Sequence, residues 1–236
     1  MSIDVVNRIS VCGAEQEKIN EVFDFFRGVN GDMDFNKIIP MPKELIHTRK
    51  GSCEDESWAY YQAKELEDYK ELDELLTCAW VKEEGIKTRE ELLKHLEESY
   101  KEAERICPEE LKTGFATISE YGKYQHELYQ KYGYRNHVDW ALNNWNCSWN
   151  AFDSEREENM LKFMTLNSCV IPLIWTTSEK FPEVDFVYEV CDQCLEKVAR
   201  LIIRAGEIIC EYIPDEGTEE QLRLATQILG YRPEFF

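Results

Sequence analysis

Positive charge is scarce in this sequence. Lysine and arginine together number 27 against 47 aspartates and glutamates, so the 236 residues carry a formal net charge of −20. Nonspecific nucleic-acid binding is thereby disfavoured, because holding phosphates needs a basic face. Long apolar runs are missing as well: no stretch approaches the roughly 20 residues of a spanning helix, and no membrane association is expected. The opening Met1-Ser2-Ile3-Asp4 has neither the cationic start nor the apolar stretch of a secretory signal, so the nine cysteines are read as reduced thiols of a cytoplasmic protein. An odd cysteine count agrees with that reading.

Catalytic signatures are also absent. There is no H-E-x-x-H, no G-x-S-x-G and no P-loop, and His47, His95, His126 and His137 stand apart from one another. Cys191 and Cys194 make a C-x-x-C, but no second closely spaced Cys/His pair follows to close a tetrahedral site. Cys12, Cys53, Cys78, Cys107, Cys147, Cys169 and Cys210 are scattered and read as small packed hydrophobes. No metal and no cofactor is expected. The remaining catalytic arrangement is a nucleophile assembled only by the fold, such as Cys147 with His137, a pairing in which both residues more commonly pack or face solvent.

What the sequence does contain is enough apolar material for a core: 43% hydrophobic residues, with six Trp, twelve Tyr and eleven Phe. Asp4 to Cys12 alternates apolar and polar residues as a half-buried strand does. Ile19, Val22, Phe23 and Phe26 then recur at helical spacing between Glu15 and Arg27, with Gly28 where a left-handed cap would end the helix. Met33 to Ile39 reads as a second strand stopped by Pro40 and Pro42. From Lys43 to Tyr132 the texture becomes helical and rich in Glu, Lys and Tyr, with three helices expected. Thr88 and Glu91 form a capping-box pattern there, and Pro108 suits the first turn of another helix. A short helix from His137 to Asn144 follows. Met160–Leu166 and Val184–Val190 read as strands around a helix at Ile171–Lys180. Val198 to Tyr212 reads as a strand or hairpin turning near Ala205-Gly206, and a last helix is capped by Thr218 and Gln221 and stopped by Gly230.

The order β–α–β, helical insertion, β–α–β predicts an α+β chain with a ferredoxin-like antiparallel sheet backed by two helices, plus a C-terminal hairpin and helix. The expected division is a split core of residues 1–42 and 133–215, an acidic helical insertion of residues 43–132, and a C-terminal helix of residues 216–236.

Three stretches together, Asp4-Val-Val-Asn-Arg-Ile-Ser-Val, Asp34-Phe-Asn-Lys-Ile-Ile-Pro-Met-Pro and the run from Tyr132 to Asp153 containing Trp140, Trp145 and Trp149, are similar to phage- and plasmid-borne YubB-type proteins. That resemblance covers the two outer parts of the chain. It implies a ferredoxin-like fold, a mobile-element origin and no established enzymatic activity. The pattern departs after Tyr188, where Val190-Cys-Asp-Gln-Cys-Leu replaces the acidic, glycine-containing strand end seen in such proteins.

Two surfaces are candidate sites. Between Glu54 and Glu74 nine acids stand against Lys64 and Lys70 alone. Such a field steers a protein toward a basic partner. Glu67, Asp68, Glu71 and Glu74 are the expected charges, with Glu67, Glu71 and Glu74 on one helix face, and Trp58 and Tyr61 the expected aromatic anchors. The leading expectation is therefore a non-enzymatic interaction protein that inhibits a host factor with a basic surface, such as a defence nuclease. The alternative is a nucleotide-like small ligand held by Asn36, Lys37, Asn136, Trp140, Asn143, Asn144 and Trp145, since amides and indoles suit flat ligands. The rival reading of that cluster is structural, with tryptophans in the core and asparagines capping a short helix.

Overall fold

The structure, a computed structural model, describes residues 3–29, 31–102, 115 and 117–233. The chain opens with β1 (Asp4–Cys12), α1 (Gln16–Phe26) and α2 (Phe35–Ile38). A helical stretch follows: α3 (Lys43–Ile46), α4 (Ser52–Glu65), α5 (Lys70–Leu76), α6 (Ala79–Glu83), α7 (Arg89–Glu102), α8 (Ile118–Tyr132) and α9 (His137–Trp145). It closes with β2 (Phe152–Glu157), β3 (Met160–Leu166), α10 (Ile171–Lys180), β4 (Asp185–Asp192), β5 (Val198–Arg204), β6 (Glu207–Tyr212) and α11 (Glu219–Leu229). No helix among the described residues is long and apolar enough to cross a membrane. The chain divides into two compact units, one of Met1–Pro40 with Ala141–Phe236 and one of Met41–Trp140.

The first unit is a six-stranded antiparallel sheet in the order β2-β3-β1-β4-β5-β6. On β1 and β4 the pleat sends alternate side chains to opposite faces. Val6 and Cys191, which are cross-strand partners, meet Leu224, Ala225, Ile228 and Leu229 of α11 on one face. Tyr188 points to the other face, where its hydroxyl accepts the Val170 amide at the start of α10. Under α11 the carboxylate of Glu189, only 5% exposed, receives Arg200 Nη2 at 2.6 Å and lies 3.6 Å from Arg8. Both arginines also bond Gln227, so this buried acid joins three strands to the helix. The terminal helix is thus part of the sheet unit. Thr218 caps it by accepting Gln221 N at Oγ1, while Gln221 Oε1 reaches one residue further back to accept Gly217 N.

The sheet departs from expectation at its second strand. Met33–Ile39 is no strand: Asp34 accepts the Asn36 amide and starts the single turn α2, whose Phe35 and Ile38 are buried. The partner of β3 is instead β2, Phe-Asp-Ser-Glu-Arg-Glu, an edge strand with too little apolar content to show an alternating pattern. Gly28 does not cap α1 in a left-handed conformation. It lies against Asp34, where an added Cβ would sit 2.2 Å from the carboxylate, so its requirement is close approach. The hairpin turn falls where expected, with Ala205 and Gly206 both at positive φ as a two-residue turn between twisted strands demands.

The second unit is helical, with six helices among the described residues of 43–132 where three are expected, and none of its described residues joins the sheet. Its core is Tyr60, Ala63, Leu72, Val81, Leu92, Leu96, Ile118 and Tyr121. Helices α4 and α8 meet closely, because Gly122 lets the Ser57 carbonyl and Tyr61 approach. The Thr88–Glu91 capping box is formed in both directions. The helix expected to begin at Pro108, and Cys107 beside it, lie outside the described residues.

Candidate functional site

Helix α4 stops because Gln62 takes two amides with its carbonyl, those of Leu66 and Asp68, while Glu67 turns into the left-handed region at φ 55°. Asp68 then accepts the Lys70 amide and starts α5. The expected continuous face of Glu67, Glu71 and Glu74 is therefore broken. Glu67 and Asp68 project from a loop, whereas Glu71 and Glu74 ride on α5, where Glu71 is half-buried. Asymmetry within the nine acids is the second finding. Glu54 accepts from Tyr121, Glu56 from Tyr100, Asp55 pairs with Arg135, and Asp73 forms a two-bond fork with Arg89, which also covers the Tyr69 ring. Glu65, Glu67, Asp68, Glu71 and Glu74 make no ion pair among the described residues. The field presented outward is the run Glu65 to Glu74 and not the whole stretch from Glu54.

Trp58 cannot serve as an anchor on that surface. It is 9% exposed, stacked on His126, edge-on to Tyr129 and covered by the Arg135 guanidinium. Tyr61 is half-buried beside His126. Both read as anchors from the sequence because a sequence shows that a residue is aromatic but not which way its helix turns.

The half-buried carboxylate of Glu56 gives the helical unit a pH dependence. Burial raises the Glu56 carboxyl above its ordinary range, with Asp55 and Glu54 adding to the shift and Tyr100 opposing it. A carboxyl raised on folding is destabilising when ionised, so stability falls as pH rises from the ordinary carboxylate range through the folded value. Glu56→Gln keeps an acceptor for Tyr100 and is expected to melt higher than the parent at pH 7, with the gap narrowing as pH falls into the ordinary carboxylate range. Parallel melting curves for the two proteins from pH 4.5 to 8 would refute this. Cys53 beside it is likewise raised by burial and stays a thiol, a poor nucleophile.

The asparagine and tryptophan residues divide between the units. In the sheet unit, Trp145 is buried edge-on to Phe35 and donates to the Ile39 carbonyl. Asn36 and Lys37 belong to α2. Asn143 is exposed and Asn144 half-buried on α9. In the helical unit, Asn136 exchanges hydrogen bonds with Asp139 at the start of α9, and Trp140 is buried. The amide that ties most together is Asn150, which accepts from Phe35 N and donates to Asp34. Capping and packing account for Asn136, Trp140, Trp145 and Asn150.

The cysteine candidates are engaged elsewhere. Cys191 is buried in β4, its thiol pushed up to about 12 by burial and then by Asp192, while Cys194 is exposed in the following turn. Cys147 donates to the Leu166 carbonyl, and His137 is bonded to the Thr48 carbonyl. Among the described residues no three His, Cys, Asp or Glu side chains are grouped to hold a metal ion.

Two concavities lie along α11. A shallow groove of about 560 Å³ runs over Glu219, Arg223, Thr226 and Arg232. A cleft of about 150 Å³ opens between Arg200, Tyr212, Glu220, Arg223 and Gln227. Neither is lined by the residues proposed from the sequence as a ligand pocket.

No family model and no curated protein matches this chain. Among solved structures, the crystal structure of protein api92 from Yersinia pseudotuberculosis, family model DUF1281, aligns with 92% of this chain and 100% of that one, at 9% identity and a TM-score of 0.38. A likeness of that strength carries no argument about fold or function.

Proposed function

We propose that this chain is a non-enzymatic interaction protein of a phage or related mobile element, whose helical unit binds and blocks a host protein with a basic surface. A defence nuclease or another nucleic-acid-binding protein has the chemistry required. The observation that carries the reading is the acidic run itself: Glu65, Glu67, Asp68, Glu71 and Glu74 gather at the α4–α5 junction without a paired cation among the described residues. Unpaired carboxylates repel one another and contribute no stability there, so their accumulation is better explained by what they attract. The order β2-β3-β1-β4, with α1 after β1 and α10 between β3 and β4, supports reading the sheet as ferredoxin-like, extended by the β5–β6 hairpin. It agrees with the resemblance to YubB-type proteins.

The test is the triple substitution Glu67→Gln, Glu71→Gln, Glu74→Gln against a purified basic nuclease found to bind the parent. Exposed charges act mainly on encounter, so association should slow by about tenfold at low salt and by much less at 0.5 M salt. The thermal melt should not fall. An unchanged association rate in a folded variant would reduce the acidic run to a solubility feature.

A further inference from the structure

The strand order leaves the sheet two edges, β2 and β6, and they are built differently. Edge β2 carries Asp153, Glu155, Arg156 and Glu157, a register shift between Phe152 and Glu155, and Ser154 bonded to the Asp32 amide. Charge, irregularity and a covering loop are the ordinary means by which a sheet discourages a further strand. Edge β6 carries less of this, its charges being Glu207 and Glu211 alone. Its sequence is Glu-Ile-Ile-Cys-Glu-Tyr, every residue is exposed, and it contains neither Lys nor Pro. A register shift is present, but the residue it adds is Ile209, 55% exposed, between the paired Ile208 and Cys210. Ile213 follows at 61%, and Trp175 of α10 lies half-exposed against Gly206 at the hairpin turn. Of the exposed large apolar side chains in this protein, Trp175, Ile208, Ile209, Tyr212 and Ile213 thus gather on one strand and its surroundings. Such a cluster beside unpaired main-chain groups marks an interaction edge.

We propose that the outer edge of β6 receives an extended segment of a partner protein as an added strand, the segment alternating apolar residues with Lys or Arg. Charge selects the occupant. The inner cations are already engaged, Arg200 by Glu189 and Arg204 by a two-bond fork with Asp185. Glu207, Glu211, Asp215 and Glu216 make no ion pair among the described residues. A strand lying on β6 therefore meets isoleucines and a tyrosine interspersed with uncompensated carboxylates. Apolar side chains interleaved with cations complement that pattern, whereas acidic residues directly opposite Glu207 and Glu211 repel. A second copy of the chain brings its own Glu207 and Glu211 to the edge and −20 charges against −20. Arg223 lines the neighbouring cleft, but it is carried by α11 and not by the strand. In this mode main-chain hydrogen bonds supply affinity and alternate side chains supply selectivity. The edge belongs to the sheet unit and stands independently of the acidic run in the helical unit.

The probe is a fluorescent eight-residue peptide alternating Val and Lys, titrated into the full chain by anisotropy, with amide hydrogen exchange recorded on the complex. Binding should slow exchange in residues 207–213. It should weaken by about tenfold or more when alternate peptide amides are N-methylated, which keeps every charge but removes one hydrogen-bonding edge. Ile209→Lys with Ile213→Lys should abolish binding without lowering the thermal melt, while Glu67→Gln, Glu71→Gln, Glu74→Gln should leave it intact. Absence of binding, equal binding of the N-methylated peptide or of a Val–Glu peptide, or slowed exchange confined to residues outside β6 would overturn the proposal. So would a concentration-dependent dimer in sedimentation that Ile209→Lys disperses, since the edge would then belong to a second copy.

Discussion

Gly122→Ala should unfold the helical unit or come close to it. Within a helix, alanine for glycine is ordinarily favourable by about 1 kcal/mol, and α8 is a regular helix at this position. Here the added methyl would sit 2.2 Å from the Ser57 carbonyl oxygen and 2.5 Å from Tyr61 Cβ. The first obstacle is backbone, which cannot rotate away as a side chain does, so α4 and α8 must separate. Overpacking of a tight contact costs roughly 1–3 kcal/mol and more when main chain is involved. A net loss of about 3 kcal/mol or greater is expected after the helix-propensity gain. Gly85→Ala is the control: its φ is +74°, but nothing lies near the added methyl, so only the left-handed strain of about 1 kcal/mol applies. Circular-dichroism melts of both variants decide it, and a G122A protein as stable as the parent would show that α4 and α8 do not meet there.

The second large effect is in the sheet. Tyr188 is fully buried, its phenol held well above the ordinary value by burial, so it remains a donor at every working pH. It donates to Asn7 Oδ1 and accepts from the Val170 amide, while Asn7 Nδ2 donates to Thr165 and Thr165 to the Ser168 carbonyl. One phenol thereby connects β1, β3, β4 and the start of α10 through groups with no access to water. Tyr188→Phe preserves the ring and strips the hydroxyl, leaving the Asn7 oxygen and the Val170 amide without that partner. A buried group so orphaned costs about 1–3 kcal/mol, and with two affected the expected loss is about 3 kcal/mol. A chain of this size should then melt roughly 6–12 °C lower. A shift of under about 2 °C would mean that water or a small rearrangement replaces the hydroxyl.

These two positions show how far each kind of information reaches. Tyr188 is legible in outline, because alternation marks it as an inward position of a strand, yet the partners of its hydroxyl, Asn7 and the Val170 amide, lie 181 and 18 positions away in the chain. Gly122 carries no local signal at all. Its neighbours Ser57 and Tyr61 belong to a helix more than 60 residues earlier, and only the packing of α4 on α8 explains why a helix would accept a glycine.

The candidate site divides in the same way. That the stretch from Glu54 to Glu74 is acidic is a property of composition and survives any fold. Which of those acids face outward depended on Arg89, Tyr100 and Tyr121 from other helices and Arg135 from the loop before α9, which engage four of them. The edge strand β6 was legible as the second arm of a hairpin, since Ala205-Gly206 marks the turn, but its lying at the rim of the sheet was not.

Elements whose cause is local were determined by the sequence itself. Alternation set β1, helical spacing set α1 and α10, and the caps at Thr88, Thr218 and Gly230 act within one turn of the chain. Elements whose cause is distant required the tertiary structure. Met33–Ile39 has a strand-like composition but turns as α2, because Asp34 caps it and Asn150, far along the chain, takes the Phe35 amide. Strand β2 has a charged composition but pairs, because β3 offers it an open ladder. Local propensities are worth tenths of a kcal/mol per residue, whereas a buried amide left unpaired or an open strand edge left unmatched costs a kcal/mol or more, so where the two conflicted the long-range partner prevailed.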